Sequence, residues 1–267
     1  MAAPNEMTCK HLLRLMGTPQ APVIVDVCID ADFVEDPSVI PDALRWSHSE
    51  IDGLVALLAG RPCVVVRQKG LKLSQGLMSR LRGRVRDAQY LSGGIYGWRD
   101  SDGMIRIPAT ALPDPGLYVT RHRPKIDRIA CPWLIRRFVD PAARFLFVAP
   151  AEVTGVAEKF NAIPFDVEDV HFSHDGPNCT FDKMLVEFAL TSPALARLAT
   201  VVRAADTNCH DQSPQAAGLL AFSVGLSRLY KDDLQQLEAG MALYDAFYRW
   251  ARDGVDEGHD WPADRKT

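Results

Sequence analysis

Short apolar runs alternate with segments of helical periodicity in the first half of the chain. Runs of β-branched and other apolar residues at 23–27, Cys63–Val66 and 89–91 predict three buried strands. Apolar positions at helical spacing predict helices over 49–58 and 71–81. Because strands that alternate with helices are joined by crossovers, this half is predicted to be an α/β domain, a parallel sheet with flanking helices.

Helical spacing dominates the second half of the chain. The predicted helices cover residues 127–138, 180–190, 193–204, 213–229 and 232–252. Between the halves, Pro108, Pro113 and Pro115 lie close together and indicate a linker. The resulting assignment is an N-terminal extension at 1–17, the α/β domain at 18–108, a linker at 109–117, a mostly α-helical (α+β) domain at 118–253 and a flexible tail at 254–267.

The composition is that of a soluble globular protein, with 47% hydrophobic and 24% charged residues among 267. Lys and Arg number 30 against 34 Asp and Glu, and the net charge of −4 argues against nucleic-acid binding by the chain as a whole. The six cysteines form no CxxC pair, so neither a zinc ribbon nor a disulfide framework is indicated. Because no signal-peptide segment or long apolar run is found, we expect a cytoplasmic protein without membrane contact.

A basic segment at residues 121–137 stands out in this acidic chain. Guanidinium groups match the oxygens of tetrahedral dianions such as chromate or sulfate. Arg121, Arg123 and Lys125 alternate along an extended run, and Arg128 lies at a predicted helix start. These four residues are the candidate oxyanion ligands, and a solvated basic face is the alternative interpretation.

A histidine and several carboxylates in the second half form a candidate metal site. The candidate ligands are His174, Glu187, Asp206 and Asp211. One imidazole with two or three carboxylates suits a Zn, Fe or Mn ion, although the spacing matches no standard metal motif. A buried salt-bridge network with Arg203 and Arg128 would explain the same residues. No organic cofactor is evident. Cys131 is a redox candidate, with a buried and inert thiol as the alternative.

Four motifs of the first half occur in the order found in rhodaneses. They are the segments 25–27, 40–43, 67–74 and 90–98, and together they resemble a rhodanese-like domain. In active rhodaneses a persulfide-carrying cysteine begins the loop after the strand, whereas this chain has Arg67, which cannot act as a nucleophile. Cys63 lies within the predicted strand, and Cys28 stands where the family usually has Arg. Sulfurtransferase activity is therefore predicted to be absent.

The same loop offers a weaker alternative role. Its backbone N–H groups, together with Arg67, Lys69 and Lys72, form a candidate anion cradle. A retained scaffold that binds only a partner is the simpler interpretation, since a fold does not by itself imply a function.

Three blocks of the second half, 118–138, 173–185 and 202–220, resemble the C-terminal domain of the bacterial chromate-resistance family ChrB. This resemblance implies a role in chromate resistance, usually alongside a chromate efflux transporter. Some members regulate transcription in response to chromate, but they carry a different, DNA-binding N-terminal region. The rhodanese-like domain in that place argues against DNA binding here.

The combined expectation is a chromate-resistance protein whose second domain binds an oxyanion or a metal ion, as a sensor or a detoxification accessory. One alternative is a metal-dependent redox enzyme that uses His174 and carboxylates. The other is an interaction module without a small-molecule site. The sequence does not specify the oligomeric state, the metal or the oxyanion.

Overall fold

The computed structural model describes residues 5–70, 72–85, 87–101, 105–112 and 116–259, with the backbone alone at 72–75. These residues form two compact units. The first unit comprises the described residues up to Gly116 together with Leu134–Ala143 and Val186–Leu190, and the second unit comprises the rest. Pro113 and Pro115 of the expected linker, and most of the expected tail, lie outside the described residues.

The first unit is built on a parallel sheet. Its strands are β1 (Glu6–Met7), β2 (Val23–Asp26), β3 (Ser38–Val39), β4 (Ala43–Arg45), β5 (Cys63–Val66), β6 (Ala88–Leu91) and β7 (Ile107–Pro108). Five of these strands form one sheet in the order β1-β6-β5-β2-β4 with parallel neighbours, while β3 and β7 form an antiparallel pair. Its helices are α1 (Cys9–Leu15), α2 (Asp30–Glu35), α3 (Ile51–Leu58), α4 (Lys72–Leu81) and α5 (Gly94–Arg99), followed by a 3₁₀ turn at Ala109–Ala111.

Alternate residues of the central strands pack on opposite faces of this sheet. Val65 belongs to a core that also contains Leu54 of α3, whereas Val64 belongs to a core that contains Leu12 of α1 and Trp98 of α5. Because both faces are covered, the central strand β5 is apolar at all four of its positions, which is the pattern seen in the sequence. The predicted fold class, a parallel sheet with flanking helices, is confirmed.

Residues near the N-terminus contribute to this sheet. The expected extension at 1–17 excludes them from the domain, but Met7 of β1 pairs with Leu91 of β6 and Leu12 is fully buried. A strand of two residues carries too little alternation to be recognised from its sequence. The described part of the extension therefore forms the edge of the sheet.

The chain from residue 117 onward combines a small sheet with helices. The strands are β8 (Leu117–Arg121), β9 (Arg144–Val148) and β10 (Ile163–Pro164), parallel and in the order β10-β8-β9. The helices are α6 (Asp127–Leu134), α7 (Val153–Phe160), α8 (Thr180–Glu187), α9 (Pro193–Asp206), α10 (Ala216–Leu229) and α11 (Asp233–Arg249), with shorter turns at Ile135–Val139, Pro150–Glu152, His210–Gln212 and Trp250–Gly254. The mostly helical α+β class is confirmed. In the described part of the chain, no helix combines the length and apolar character needed to cross a membrane.

The first predicted helix of this half ends earlier than expected. The sequence indicated a helix over 127–138, whereas α6 ends at Leu134 and a π-helical turn covers Ile135–Val139. The wider turn follows Pro132, which has no N–H to donate inside the helix. The helical register therefore changes directly after Leu134.

Helix α11 holds α6 in place through two buried hydrogen bonds. The hydroxyl of Tyr244 donates to the carbonyl of Ile126 at 2.9 Å, and the indole Nε1 of Trp133 donates to Oδ1 of Asp245 at 2.8 Å. Gly240 lets the two helices approach, because a Cβ atom at this position would lie 2.6 Å from Cγ2 of Ile129. Close packing against α11 thus sets the position at which α6 begins.

We expect Gly240→Ala to lower the free energy of unfolding by about 1–3 kcal/mol, because the added methyl group forces α6 and α11 apart. Urea denaturation measures this change. Gly225→Ala on α10 is the matched control, since nothing lies within 4 Å of its added Cβ. Removing a helical glycine there should leave stability unchanged or raise it by up to about 1 kcal/mol. Equal stability of both variants would contradict this packing.

Candidate functional site

Asp127, His174 and Asp206 converge in the second unit. Each offers one oxygen or nitrogen atom, and these atoms lie within 4.8 Å of one another. Asp127 begins α6, Asp206 ends α9, and His174 lies in the loop before α8. Three separate elements therefore bring an imidazole and two carboxylates to one point.

Asp127 is fully buried where two helices begin. Its Oδ2 atom accepts the N–H of Thr180, the first residue of α8, at 2.7 Å. The first N–H groups of a helix need acceptors, and the positive end of the helix dipole favours a carboxylate there. The side chain thus anchors α8 against the start of α6.

Asp166 adjoins this group and connects it to two arginines. Its Oδ2 atom lies 3.0 Å from a guanidinium nitrogen of Arg121 and 3.1 Å from Nε of Arg128. Its Oδ1 atom accepts the hydroxyl of Thr180 at 3.3 Å. Asp166 has a positive φ of 52° just after the short strand β10, a conformation that Asp tolerates better than most residues.

The imidazole of His174 faces all three carboxylates. Its Nε2 atom lies 3.1 Å from Asp206, 3.6 Å from Asp166 and 3.7 Å from Asp127. The side chain is 40% exposed, whereas that of Asp127 is 0% exposed. The site is therefore closed to solvent at Asp127 and open to solvent at His174.

The crowding of like charges moves the pKa values of these groups apart. Burial, followed by the charges of Asp206 and Asp166, raises the pKa of Asp127 well above its usual value. Burial also raises the pKa of Asp206. Burial opposes ionisation of Asp166 as well, but His174, Arg121 and Arg128 together hold its pKa below the usual value. The hydrogen bond with Asp166 is the main cause that raises the pKa of His174 to about 9.

Several polar atoms of this cluster have no hydrogen-bond partner among the described residues. They include Oδ1 of Asp127 and Nε of Arg121, both shielded from solvent, whereas Nε of Arg128 is ion-paired with Asp166. Buried polar atoms are rarely left without a partner, because each costs about 1–3 kcal/mol of free energy. The described residues therefore do not fill the hydrogen-bonding capacity of the cluster, which leaves polar atoms that a ligand could satisfy.

The structure brings together only part of the predicted metal-ligand set. His174 and Asp206 meet as expected. Glu187 ends α8 among residues of the first unit, and Asp211 is exposed on the 3₁₀ turn at His210–Gln212, so neither belongs to the described cluster. The alternative salt-bridge network is divided as well, because Arg203 pairs with Asp182 while Arg128 pairs with Asp166.

The four candidate oxyanion ligands also separate. Strand β8 ends at Arg121, and Arg123 turns away with a positive φ of 55°. The guanidinium of Arg123 donates to the carbonyl oxygen of Ser227 at 3.1 Å. Burial, followed by the charges of Arg128, Arg123 and Arg228, lowers the pKa of Lys125. The expected single extended run is therefore wrong, and Arg121 and Arg128 alone of the four contact the carboxylate cluster.

The cysteine candidates lie in buried positions. Cys131 is 0% exposed, and burial raises its pKa well above the usual value, which disfavours the reactive thiolate. Cys63 is fully buried in β5, where burial raises its pKa to about 11. At the loop after β5, the guanidinium of Arg67 lies 3.5 Å from Asp32. The side chain of Lys72, part of the expected anion cradle, lies outside the described residues.

Sequence reasoning missed two acidic members of the site. Neither Asp127 nor Asp166 is among the ligands that the sequence predicts. The signal for Asp127 was available, since it is the lone acid at a helix start within a run of cations. Asp166 follows a strand of two residues and meets Arg121 only through the β10–β8 pairing, which no local pattern reveals.

Comparison with known protein families assigns the segment that contains this site to a known domain family. Residues 118–251 match the family described as "ChrB, C-terminal domain". This match spans half of the chain, and the chain therefore belongs to the ChrB C-terminal domain family, as expected from the three sequence blocks.

One curated relative and one solved structure add detail. "Protein ChrB" of Cupriavidus metallidurans is 35% identical over 169 residues, which are 57% of this chain and 50% of the relative. The chain thus spans about half the length of the curated relative it matches. The crystal structure of SSP1007 from Staphylococcus saprophyticus subsp. saprophyticus aligns with a TM-score of 0.30 and 19% identity, covering 34% of this chain and 89% of that protein.

We expect an NMR titration of the metal-free protein to give His174 a pKa of about 9. Asp166→Asn should lower this value towards the ordinary histidine pKa of about 6.5, because the amide no longer stabilises the imidazolium. Asp211→Asn is the control and should leave the His174 titration unchanged, since Asp211 is exposed and lies outside the cluster. An unchanged value in Asp166→Asn would show that Asp166 does not hold the imidazole.

Proposed function

We propose that this chain acts in chromate resistance by binding a divalent Zn, Fe or Mn ion at Asp127, His174 and Asp206, as a sensor or a detoxification accessory. Membership in the ChrB C-terminal domain family supports the biological role. The metal assignment depends on one observation, the fully buried Asp127 carboxylate. Its Oδ1 atom has no hydrogen-bond partner in the described chain, and its Oδ2 atom lies 3.7 Å from Nε2 of His174.

The donor set suits a first-row divalent ion. Carboxylate oxygens and a neutral imidazole are ligands that Zn²⁺, Mn²⁺ and Fe²⁺ accept. Three protein ligands leave at least one coordination position for water or another ligand. One surrounding contact is also that of a supported site, since the Thr180 N–H orients the Asp127 carboxylate.

Proton release should accompany binding of the metal. His174 must be neutral to coordinate an ion, yet its pKa of about 9 keeps it protonated at neutral pH. The raised pKa of Asp127 adds a second group that must lose its proton. Affinity for the metal should therefore rise with pH below about pH 9, by about tenfold per pH unit for each proton released.

Metal binding is measured by isothermal titration of untagged protein with Mn²⁺ and Zn²⁺, supported by elemental analysis of the protein as purified. We expect one site, whose affinity falls by at least about tenfold in Asp127→Asn and in His174→Ala. Asp211→Asn is the control and should bind like the wild type. Stoichiometric binding that survives in both cluster variants, or no binding at about pH 8, would overturn the assignment.

The two arginines support a second ligand of the same site. We propose that a tetrahedral oxyanion, chromate or one similar to it, binds at Arg121 and Arg128. The supporting observation is that the buried Nε atom of Arg121 has no hydrogen-bond partner in the described chain, while the Arg121 side chain is 39% exposed and Arg128 lies beside it on the same Asp166 carboxylate. Guanidinium groups bind such oxygens through directed N–H donors. An anion here would also complement a metal ion with an open coordination position.

Sulfate, a non-oxidising tetrahedral dianion, tests this proposal in titrations of the metal-loaded protein, with chromate measured in parallel. Arg121→Gln should weaken binding by about tenfold or more, since a charged hydrogen bond is worth about 1.5–3 kcal/mol. Arg123→Gln is the matched control, because that guanidinium contacts Ser227 instead of the cluster. Equal losses in both variants would indicate a diffuse basic surface. Absence of both metal and oxyanion binding would favour an interaction module.

A further inference from the structure

A cavity of about 610 Å³ lies within the first unit, at the amino-terminal edge of its parallel sheet. Val23 begins β2, Ala43 begins β4 and Pro62 directly precedes β5, and all three residues line the cavity. The loop at 67–70 follows the carboxyl end of β5 and therefore lies at the opposite edge of the sheet. This cavity is thus distinct from the loop in which rhodaneses carry their cysteine.

The cavity has the dimensions and lining of a small-molecule site. Ligand sites typically enclose about 300–1,000 Å³ and combine apolar walls with a few polar groups. The apolar wall includes Pro19, Pro22, Leu44, Leu57, Leu112 and Val139. No aromatic side chain lines it among the described residues, so the space suits an aliphatic body.

Asp42 supplies an unsatisfied acceptor on this wall. Its Oδ1 atom is shielded from solvent and has no hydrogen-bond partner within the described chain. The residue is held firmly, because its N–H donates to the carbonyl of Phe138 at 2.9 Å and its backbone has a positive φ of 65°. A buried carboxylate oxygen in this state favours an N–H donor from a ligand.

Three guanidinium groups line the same cavity. They belong to Arg61, Arg136 and Arg137. Two are oriented by backbone carbonyls: Arg61 donates to Leu57 at 3.2 Å, and Arg136 donates to Ala143 at 3.1 Å. The other lining carboxylate, Asp140, already accepts the N–H of Ala142 at 2.9 Å. The same cavity therefore offers a carboxylate to a cationic group of a ligand and guanidinium groups to an anionic group of that ligand.

We propose that this cavity binds a small zwitterion with an aliphatic body, of the α-amino acid class, with its ammonium group at Asp42 and its carboxylate at the arginine wall. Three arginines and two aspartates line the cavity, so a purely cationic ligand would meet a net positive charge, and a purely anionic ligand would leave the Asp42 carboxylate without a cationic donor. A zwitterion provides an ammonium group for Asp42 and a carboxylate for the arginines, and its aliphatic side chain packs against the apolar wall.

Ligand-observed NMR on the full chain tests this assignment with three related probes. L-leucine carries both charges, isoamylamine lacks the carboxylate and 4-methylvalerate lacks the ammonium. We expect L-leucine to bind with a dissociation constant below about 1 mM and each single-charge analogue to bind at least about tenfold more weakly. No binding of L-leucine at about 10 mM would overturn the proposal, and so would equal binding of either analogue.

The variant Asp42→Asn identifies the site. Asn also tolerates a positive φ, so the backbone is preserved while the charge is lost. We expect L-leucine binding to weaken by about tenfold or more, with thermal unfolding confirming a folded protein. Asp30→Asn is the control, because that side chain is 96% exposed and does not line the cavity. Unchanged binding in Asp42→Asn would place the ligand elsewhere and refute the assignment.

Discussion

The buried carboxylate of Asp127 is the constraint around which the second unit is arranged. It begins α6 and accepts the first N–H of α8, so one side chain ties the starts of the two helices together. The hydrogen bonds of Tyr244 and Trp133 hold α6 against α11 and thereby fix the depth at which this carboxylate lies. A charge at that depth is costly unless a proton or a cation compensates it. Local helix capping and the chemistry of the site are therefore inseparable.

Charge compensation assigns different roles to the three acids. Asp166 is paired with Arg121 and Arg128, which hold its pKa down and occupy one of its oxygens. Asp127 and Asp206 face the imidazole of His174 without a direct guanidinium partner among the described ion pairs, and their pKa values are raised. A divalent ion can replace protons on the latter pair, whereas Asp166 already has its cations. Asp127 and Asp206 are therefore the two acids suited to ligate, and Asp166 is the acid that the arginines neutralise.

The sequence predicted whatever depends on short-range pattern and family likeness. It identified the α/β class, the buried strand β5 and the family of the second half, and it selected His174 and Asp206. It placed Arg123 beside Arg121 because alternation along an extended run was assumed, but the positive φ of Arg123 ends that run. Asp166 was missed because its position depends on the pairing of β10 with β8, which is a tertiary contact. The pairing of strands that are distant in sequence, and not the composition of a segment, determines which charged side chains lie together.

In the first unit, the loop after β5 keeps its shape for reasons of packing. A Cβ atom on Gly70 would lie 2.6 Å from the Gly94 nitrogen, and one on Gly94 would lie 2.0 Å from the Arg67 carbonyl. The carbonyl of Arg67 also accepts the N–H of Ile95 at 2.9 Å, so the loop is tied to α5 whatever side chain begins it. The backbone of this loop therefore does not depend on which side chain begins it. Because the two ends of parallel strands lie at opposite edges of the sheet, the loop and the cavity at the amino-terminal edge are structurally independent. The unsatisfied Asp42 carboxylate at the amino edge is consistent with that independence.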